Sequence, residues 1–428
     1  MSAHLIMKIL YVSQYFPPEM GAPAARAAEL SRHWARAGHD VTVLTGFPNH
    51  PTGVVPPAYR SRFRRLVFRE KIDGVNLVRT WLLPFPNRKP YERILNYTSF
   101  CLSAASTGLF LSCPDVVIAT SPQLLVALSG YWLARRKRVP FVFEVRDLWP
   151  ESLLAVGMGR ENSPLQRSLS SIAAFLYRRC DHIVVVTPAF EDHLVEHWQV
   201  PRKKISVVEN GVETQLFSPT ADSGLRKELG MEGKFVVSYI GTMGMAQGLE
   251  TILEAAAQLR ETNPEIVFLI LGEGADKDRI ATLARQRGLP NLHIVDQRPR
   301  EKIPACICAS DLCLVLLKKA ELFKTVIPTK MLEFMSCARP VILGVDGQAR
   351  AILEQARAGL VIEPENSVAL AAAIRSLAMN PKLARELGEN GRAYIIERFS
   401  RRQTAEKYIG VLQQLLHLPE PSATKAAA

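Results

Sequence analysis

Lys330 and Glu333 lie three residues apart in PTKMLEFMSCARPVIL, Pro328 to Leu343, a spacing that puts both on one face of a helix. Pro328 and Thr329 read as the helix start. A cation in the first turn opposes the helix dipole, so Lys330 does not serve the stability of the helix. It makes sense beside an anion, because the free N–H groups of a helix start already attract phosphate. Glu333, one turn deeper, can accept hydrogen bonds from two neighbouring sugar hydroxyls. Phosphate with a vicinal diol is the chemistry of a nucleotide-sugar. A buried amphipathic helix with two solvated charges is the competing reading.

Two glycine turns add to this. Gly241, Gly244 and Gly248 follow the apolar run FVVSYI and open a helical pattern, and Gly272 and Gly274 flank Glu273 at the end of the next run. Glycine lets a backbone approach a ligand. The spacing is not the dinucleotide-binding GxGxxG, but both turns fall at the strand ends where open α/β sheets place ligands. Tight strand-to-helix turns need glycines too. In the first half, Asn49, His50, Arg146, Asp147 and Glu151 follow strand-like runs, and Met20–Gly21 opens the helical stretch Ala22 to Ala37. Asp147 reads either as a cleft-facing group or as a turn residue before Trp149–Pro150. No Ser/His/Asp order, carboxylate pair or metal-ligand spacing emerges, so neither a metal nor a cofactor is expected.

The elements that must hold these residues alternate along the chain. Short apolar runs and helical patterns succeed one another, which predicts parallel α/β architecture, and 428 residues exceed one ordinary core. Strands are expected at 8–13, 40–45, 115–120, 141–145, 182–187 and 205–208, then at 235–240, 266–272, 292–295, 312–316, 341–344 and 360–362. The turn-rich stretch 214–234 predicts a junction near Phe217 to Pro219, giving domains 1–217 and 218–399, with a disordered tail at 419–428. Apolar content of 48% and charged content of 22% are those of a globular protein. The seven cysteines are scattered and read as buried thiols. Ile94 to Pro114 carries no charge and is long enough to span a bilayer, but Asn96 and its serines and threonines favour a helix packed on a sheet. Of the net charge of +12, a large share lies in YRSRFRRLVFREK, where Arg62, Arg64 and Arg65 alternate with Tyr59, Phe63 and Phe68. Such a segment binds an anionic membrane or nucleic acid, or is merely solvated; no nucleic-acid signature accompanies it.

Taken in order, YVSQYFPPEMGAPAARAAELSRHWARAGHDVTVLTGFPNHP, FEVRDLWPES, VVENGVETQLFSP, the Gly241 to Gly248 turn, LGEGADK and PTKMLEFMSCARPVI resemble the retaining GT-B glycosyltransferases of family 4. The branch they resemble builds bacterial O-antigen, capsule and colanic-acid-type polysaccharides. That resemblance implies two Rossmann-like, doubly wound parallel-sheet domains facing across a cleft. The second would hold the nucleoside-diphosphate-sugar, and a helix at 400–418 would cross back to the first. Glu333 matches the second glutamate of the family's EX7E pattern, a ribose ligand, while Thr325 stands where the first would read the donor sugar. Thr242 and Gln247 replace the family's basic pair and Arg146 its histidine. Lys330 is left as the main cation for the departing diphosphate, with Asp147 as its catalytic partner. Gly241, Gly244, Gly272, Glu273 and Gly274 complete the implied donor site, and Gly21, His50 and Arg146 the acceptor side. The implied reaction moves a sugar, an N-acetylated amino or deoxy sugar among the candidates, to a polyprenyl-diphosphate-linked saccharide. It proceeds without metal, on the cytoplasmic face of the cell membrane, with Arg62, Arg64 and Arg65 touching anionic lipid. A nucleotide-sugar epimerase of the same fold and a non-catalytic assembly scaffold are the alternatives.

Overall fold

The computed structural model describes residues 6–86, 89–152, 163–219 and 224–418. The chain divides into two compact units, Met1–Glu209 with Arg402–Ala428, and Asn210–Arg401. The predicted tail 419–428 lies outside the described residues.

The first unit contains strands β1 (Lys8–Val12), β2 (Asp40–Gly46), β3 (Val67–Ile72), β4 (Val75–Thr80), β5 (Val116–Thr120), β6 (Phe141–Val145), β7 (His182–Val185) and β8 (Ile205–Val207). They form one sheet in the order β3-β4-β2-β1-β5-β6-β7-β8, parallel except for the β3–β4 hairpin. Runs such as VVIAT in β5 and FVFEV in β6 are buried throughout, as strands covered on both faces must be. By contrast β3, VFREKI, alternates exposed and half-buried residues and closes the sheet edge with charge. Neither strand of the hairpin was predicted, because alternating charge hid the apolar face. The unit's helices include α1 (Ala22–Arg36), α2 (Pro57–Phe63), α3 (Pro90–Leu109) and α4 (Leu125–Lys137). At the core, Arg26 and Glu144 form a fully buried ion pair at 2.8 Å, and the Tyr11 hydroxyl donates to Glu144 at 2.7 Å. Burial opposes the charge of Glu144, yet Arg26 and its other partners hold the carboxyl below its usual range.

In the second unit, β9 (Phe235–Ile240), β10 (Ile266–Leu271), β11 (Leu292–Val295), β12 (Leu312–Leu316), β13 (Val341–Gly344) and β14 (Gly359–Val361) form a wholly parallel sheet in the order β11-β10-β9-β12-β13-β14. Among its helices is α5 (Thr329–Ser336). The last helix among the described residues, α6 (Arg401–Leu415), packs into the first unit: Trp34 Nε1 donates to the Ala405 carbonyl at 3.2 Å, and Tyr408 and Leu412 join that core.

The division falls before Asn210, not at Phe217–Pro219. Val212 pairs with Ser400, and Phe217 is wholly buried in the second core under the Arg300 guanidinium, 4.9 Å from its ring. Turn residues around it masked a core anchor.

Candidate functional site

The residues expected on the donor side gather where β9, β10 and β12 end. Pro328 caps α5 without a side-chain hydrogen bond, so its first amides have no side-chain cap. From that turn the Lys330 ammonium reaches back to donate to the Tyr239 hydroxyl at 2.6 Å and to Gln247 Oε1 at 3.0 Å. It also lies 4.0 Å from the Tyr239 ring centroid. Burial pushes its pKa down to about 7, with Glu333 pulling the other way. A lysine held this way is poised to gain a proton when an anion arrives.

Gly241, at φ 150°, brings the loop against Lys330; a Cβ there would sit 3.1 Å from the ammonium. The loop is otherwise tied from behind. The Tyr239 hydroxyl donates to the Thr242 carbonyl at 2.6 Å, and Met243 N–H donates to Glu273 O at 2.8 Å. Gly272 and Gly274 serve this contact: a Cβ on either would overlap a carbonyl oxygen, of Gly241 or Met243 respectively. Gly244 is open, Glu273 is ion-paired with Lys277, and Thr325 donates to the Leu322 carbonyl at 2.6 Å within its own turn.

Glu333 stands one turn along α5 with its Oε1 3.1 Å from Arg300 Nη1. Arg300 was missed from sequence, as was Tyr239. Each lies in a segment, RPRE or VVSYIG, with no distinctive spacing. Lys330 is therefore not alone as a cation on this edge, and part of the Glu333 carboxylate is engaged by Arg300.

In the first unit the structure joins the loops after β1 and β2. Gly21 precedes α1 at φ 126°, where glycine is favoured, and is exposed. Buried Glu19, also unforeseen, accepts backbone N–H bonds from Asn49 at 2.9 Å and His50 at 3.0 Å. Burial outweighs those bonds and pushes its pKa up to about 7. Asp147 sits in the turn after β6. Burial raises its pKa against hydrogen bonds from Ser152 and Trp149. The neighbouring Arg146 N–H donates to Ser121 Oγ at 2.7 Å, which ties that turn to the end of β5.

The basic–aromatic segment differs from its expected form. Arg62, Arg64 and Arg65 are exposed, but Phe63 packs on Phe47 and Trp81, and Arg62 lies 4.5 Å over the Phe68 ring. Its three aromatic rings are half-buried, while Leu66 beside them is exposed.

Two α/β units built on largely parallel sheets define the GT-B class, and the comparisons agree. Residues 21–211 match the family described as "Glycosyl transferase 4-like domain" and residues 223–394 that described as "Glycosyl transferases group 1". The chain is a glycosyltransferase of the GT-B fold, and more narrowly it belongs to the group 1 glycosyltransferases with a 4-like first domain. It is 26% identical over 402 residues to the putative colanic acid biosynthesis glycosyl transferase WcaI of Escherichia coli K12, covering 90% of this chain and 96% of that one. The probable glycosyltransferase WbjE of Pseudomonas aeruginosa is 25% identical over 306 residues, 71% of this chain and 73% of its own. Among solved structures, HepE of Anabaena in complex with UDP and glucose superposes with TM-score 0.71 at 17% identity, covering 95% of this chain and 99% of that one. Sucrose-phosphate synthase of Thermosynechococcus elongatus superposes with TM-score 0.73 at 20% identity, covering 96% and 99%. At such identities the structures bear on fold alone.

Proposed function

We propose that the protein transfers a sugar, with retention, from a nucleoside-diphosphate-sugar to a polyprenyl-diphosphate-linked saccharide in bacterial surface polysaccharide synthesis. The observation that carries this is the Lys330 ammonium, held at the start of α5 against Tyr239, Gln247 and Gly241. It is the cation best placed to meet a diphosphate. The WcaI and WbjE relatives support the polysaccharide context, and HepE, solved with UDP and glucose, shares the fold.

In this reading the donor diphosphate lies along the start of α5 and the Gly241 loop, and Lys330 takes up the charge that develops as the sugar departs. Preorganised electrostatics of this kind contribute about 3–4 kcal/mol per contact removed. Glu333, oriented by Arg300, holds the ribose hydroxyls. Thr325, lacking a carboxylate, reads the donor sugar weakly, so selectivity rests on its neighbours. Asp147, its pKa raised by burial, positions acceptor groups with Arg146, Gly21 and His50. The leaving group is neutralised by side chains and helix amides, so the reaction runs without a metal ion. Arg62, Arg64 and Arg65 face anionic lipid at the inner surface of the cell membrane.

Mass-spectrometric screening of nucleotide-sugars against lipid-linked saccharides tests this. One donor–acceptor pair should yield a product heavier by one sugar residue, lost in Lys330→Ala. Donor turnover with no acceptor present would favour an epimerase, and nucleotide-sugar binding without turnover a scaffold.

A further inference from the structure

The Arg62 to Arg65 segment offers charge beside half-buried rings and a short apolar surface, the exposed Leu66 and Val67. Helix α3 presents a longer one. Its outward stripe runs through Tyr91, Ile94, Leu95, Leu102 and Leu109 and continues into Phe110. Leu102 is 64% exposed and Phe110 84%. Thr98 and Ser106, the other exposed positions between them, carry only hydroxyls. The one acidic residue of the helix, Glu92, is turned inwards and accepts the Lys89 N–H at 3.2 Å. Isolated exposed leucines are ordinary, but five large apolar residues on one helix face with a sixth just beyond its end are not.

What the stripe meets is indicated by its neighbours. Lys137, in the last turn of α4, donates to the carbonyls of Leu109 at 3.3 Å and Leu111 at 2.7 Å. That clamp fixes the basic end of α4, with exposed Arg135, Arg136 and Arg138, beside the most apolar end of α3. An apolar helix face bordered by cations matches an anionic bilayer, where acyl chains lie beneath phosphates. Among the described residues no helix is long and apolar enough to cross a membrane, so α3 would lie in the interface.

We propose that α3 seats the first domain in the surface of an anionic membrane, its apolar stripe entering the headgroup boundary and Arg135, Arg136 and Arg138 contacting lipid phosphates. The proposal deepens the lipid-linked acceptor reading by naming the element that brings the enzyme to its acceptor.

The test is flotation of the full-length protein with vesicles of phosphatidylglycerol and phosphatidylcholine, and of phosphatidylcholine alone, at low and high salt. The double variant Leu102→Asp, Phe110→Asp changes only exposed positions. It should bind the anionic vesicles on the order of tenfold or more weakly at both salt levels. The triple variant Arg135→Ser, Arg136→Ser, Arg138→Ser should lose the preference for phosphatidylglycerol and its salt dependence. Arg62→Ser, Arg64→Ser, Arg65→Ser should have the smaller effect. Equal vesicle binding by wild type and the Leu102, Phe110 variant, or no binding by wild type, would overturn the proposal. So would a wild-type dimer, dissociated by the same variant, that binds no vesicles. Nucleoside diphosphate binding, measured in parallel, should be unchanged in every variant; its absence in wild type would instead count against the transferase reading.

Discussion

At the scale of single residues, Lys330 was legible because a cation in a first helical turn contradicts the helix's own electrostatics. Its partners were not legible. Tyr239 and Gln247 are polar residues with no spacing rule to mark them, and only the fold brings them to the ammonium. The structure adds a titration. Free Lys330 is pushed down to about 7, so above that pH it is mostly neutral, whereas beside a bound diphosphate it should be charged. Binding must therefore take up a proton at alkaline pH, and the lysine's contribution to affinity must fall as pH rises through about 7. Calorimetry of nucleoside diphosphate binding at about pH 8, in buffers of different ionisation enthalpy, should report uptake of about one proton in wild type and none in Lys330→Met. Equal proton uptake by both would place the titrating group elsewhere. Glu333→Gln should weaken the same binding by about 1.5–3 kcal/mol, since it removes a charged acceptor held by Arg300; unchanged binding would make that ion pair purely structural.

Among the elements, the strands with unbroken apolar runs were read nearly to the residue, and the β3–β4 hairpin was missed. The difference is physical: a covered strand writes its burial into every position, whereas an edge strand such as VFREKI dilutes it with charge. The glycine turns were found, but not the close approach of one to the other at Gly272 and Gly274, because a sequence cannot distinguish a glycine that admits a ligand from one that admits another loop. Gly272→Ala tests the distinction. Its Cβ would overlap the Gly241 carbonyl oxygen, so the loop carrying Gln247 must shift. A cost of about 1–3 kcal/mol in stability is expected, with weaker nucleoside diphosphate binding. Full stability and affinity, measured by urea unfolding and titration, would show the two turns to be less tightly coupled.

For the molecule as a whole, two parallel-sheet domains followed from length and alternation, but the boundary did not. Phe217 looked like linker because turn residues surround it, while the structure buries it in the second core. Phe217→Ala should therefore cost about 3–5 kcal/mol and speed hydrogen exchange across β9 to β14. The strands β1 to β8 should keep their protection. Arg26→Met should do the reverse, stranding the buried Glu144 carboxylate at a cost of about 3–5 kcal/mol to the first unit. Either variant disturbing the opposite sheet would contradict the assignment of these residues. The central claim, that Lys330 carries the charge of the leaving nucleoside diphosphate, is tested most directly by turnover of Lys330→Ala at saturating donor and acceptor. Removing a charge-assisted contact of about 1.5–3 kcal/mol or more should slow transfer by at least about tenfold, with the fold intact by circular dichroism. Near-normal turnover in that variant would contradict the account.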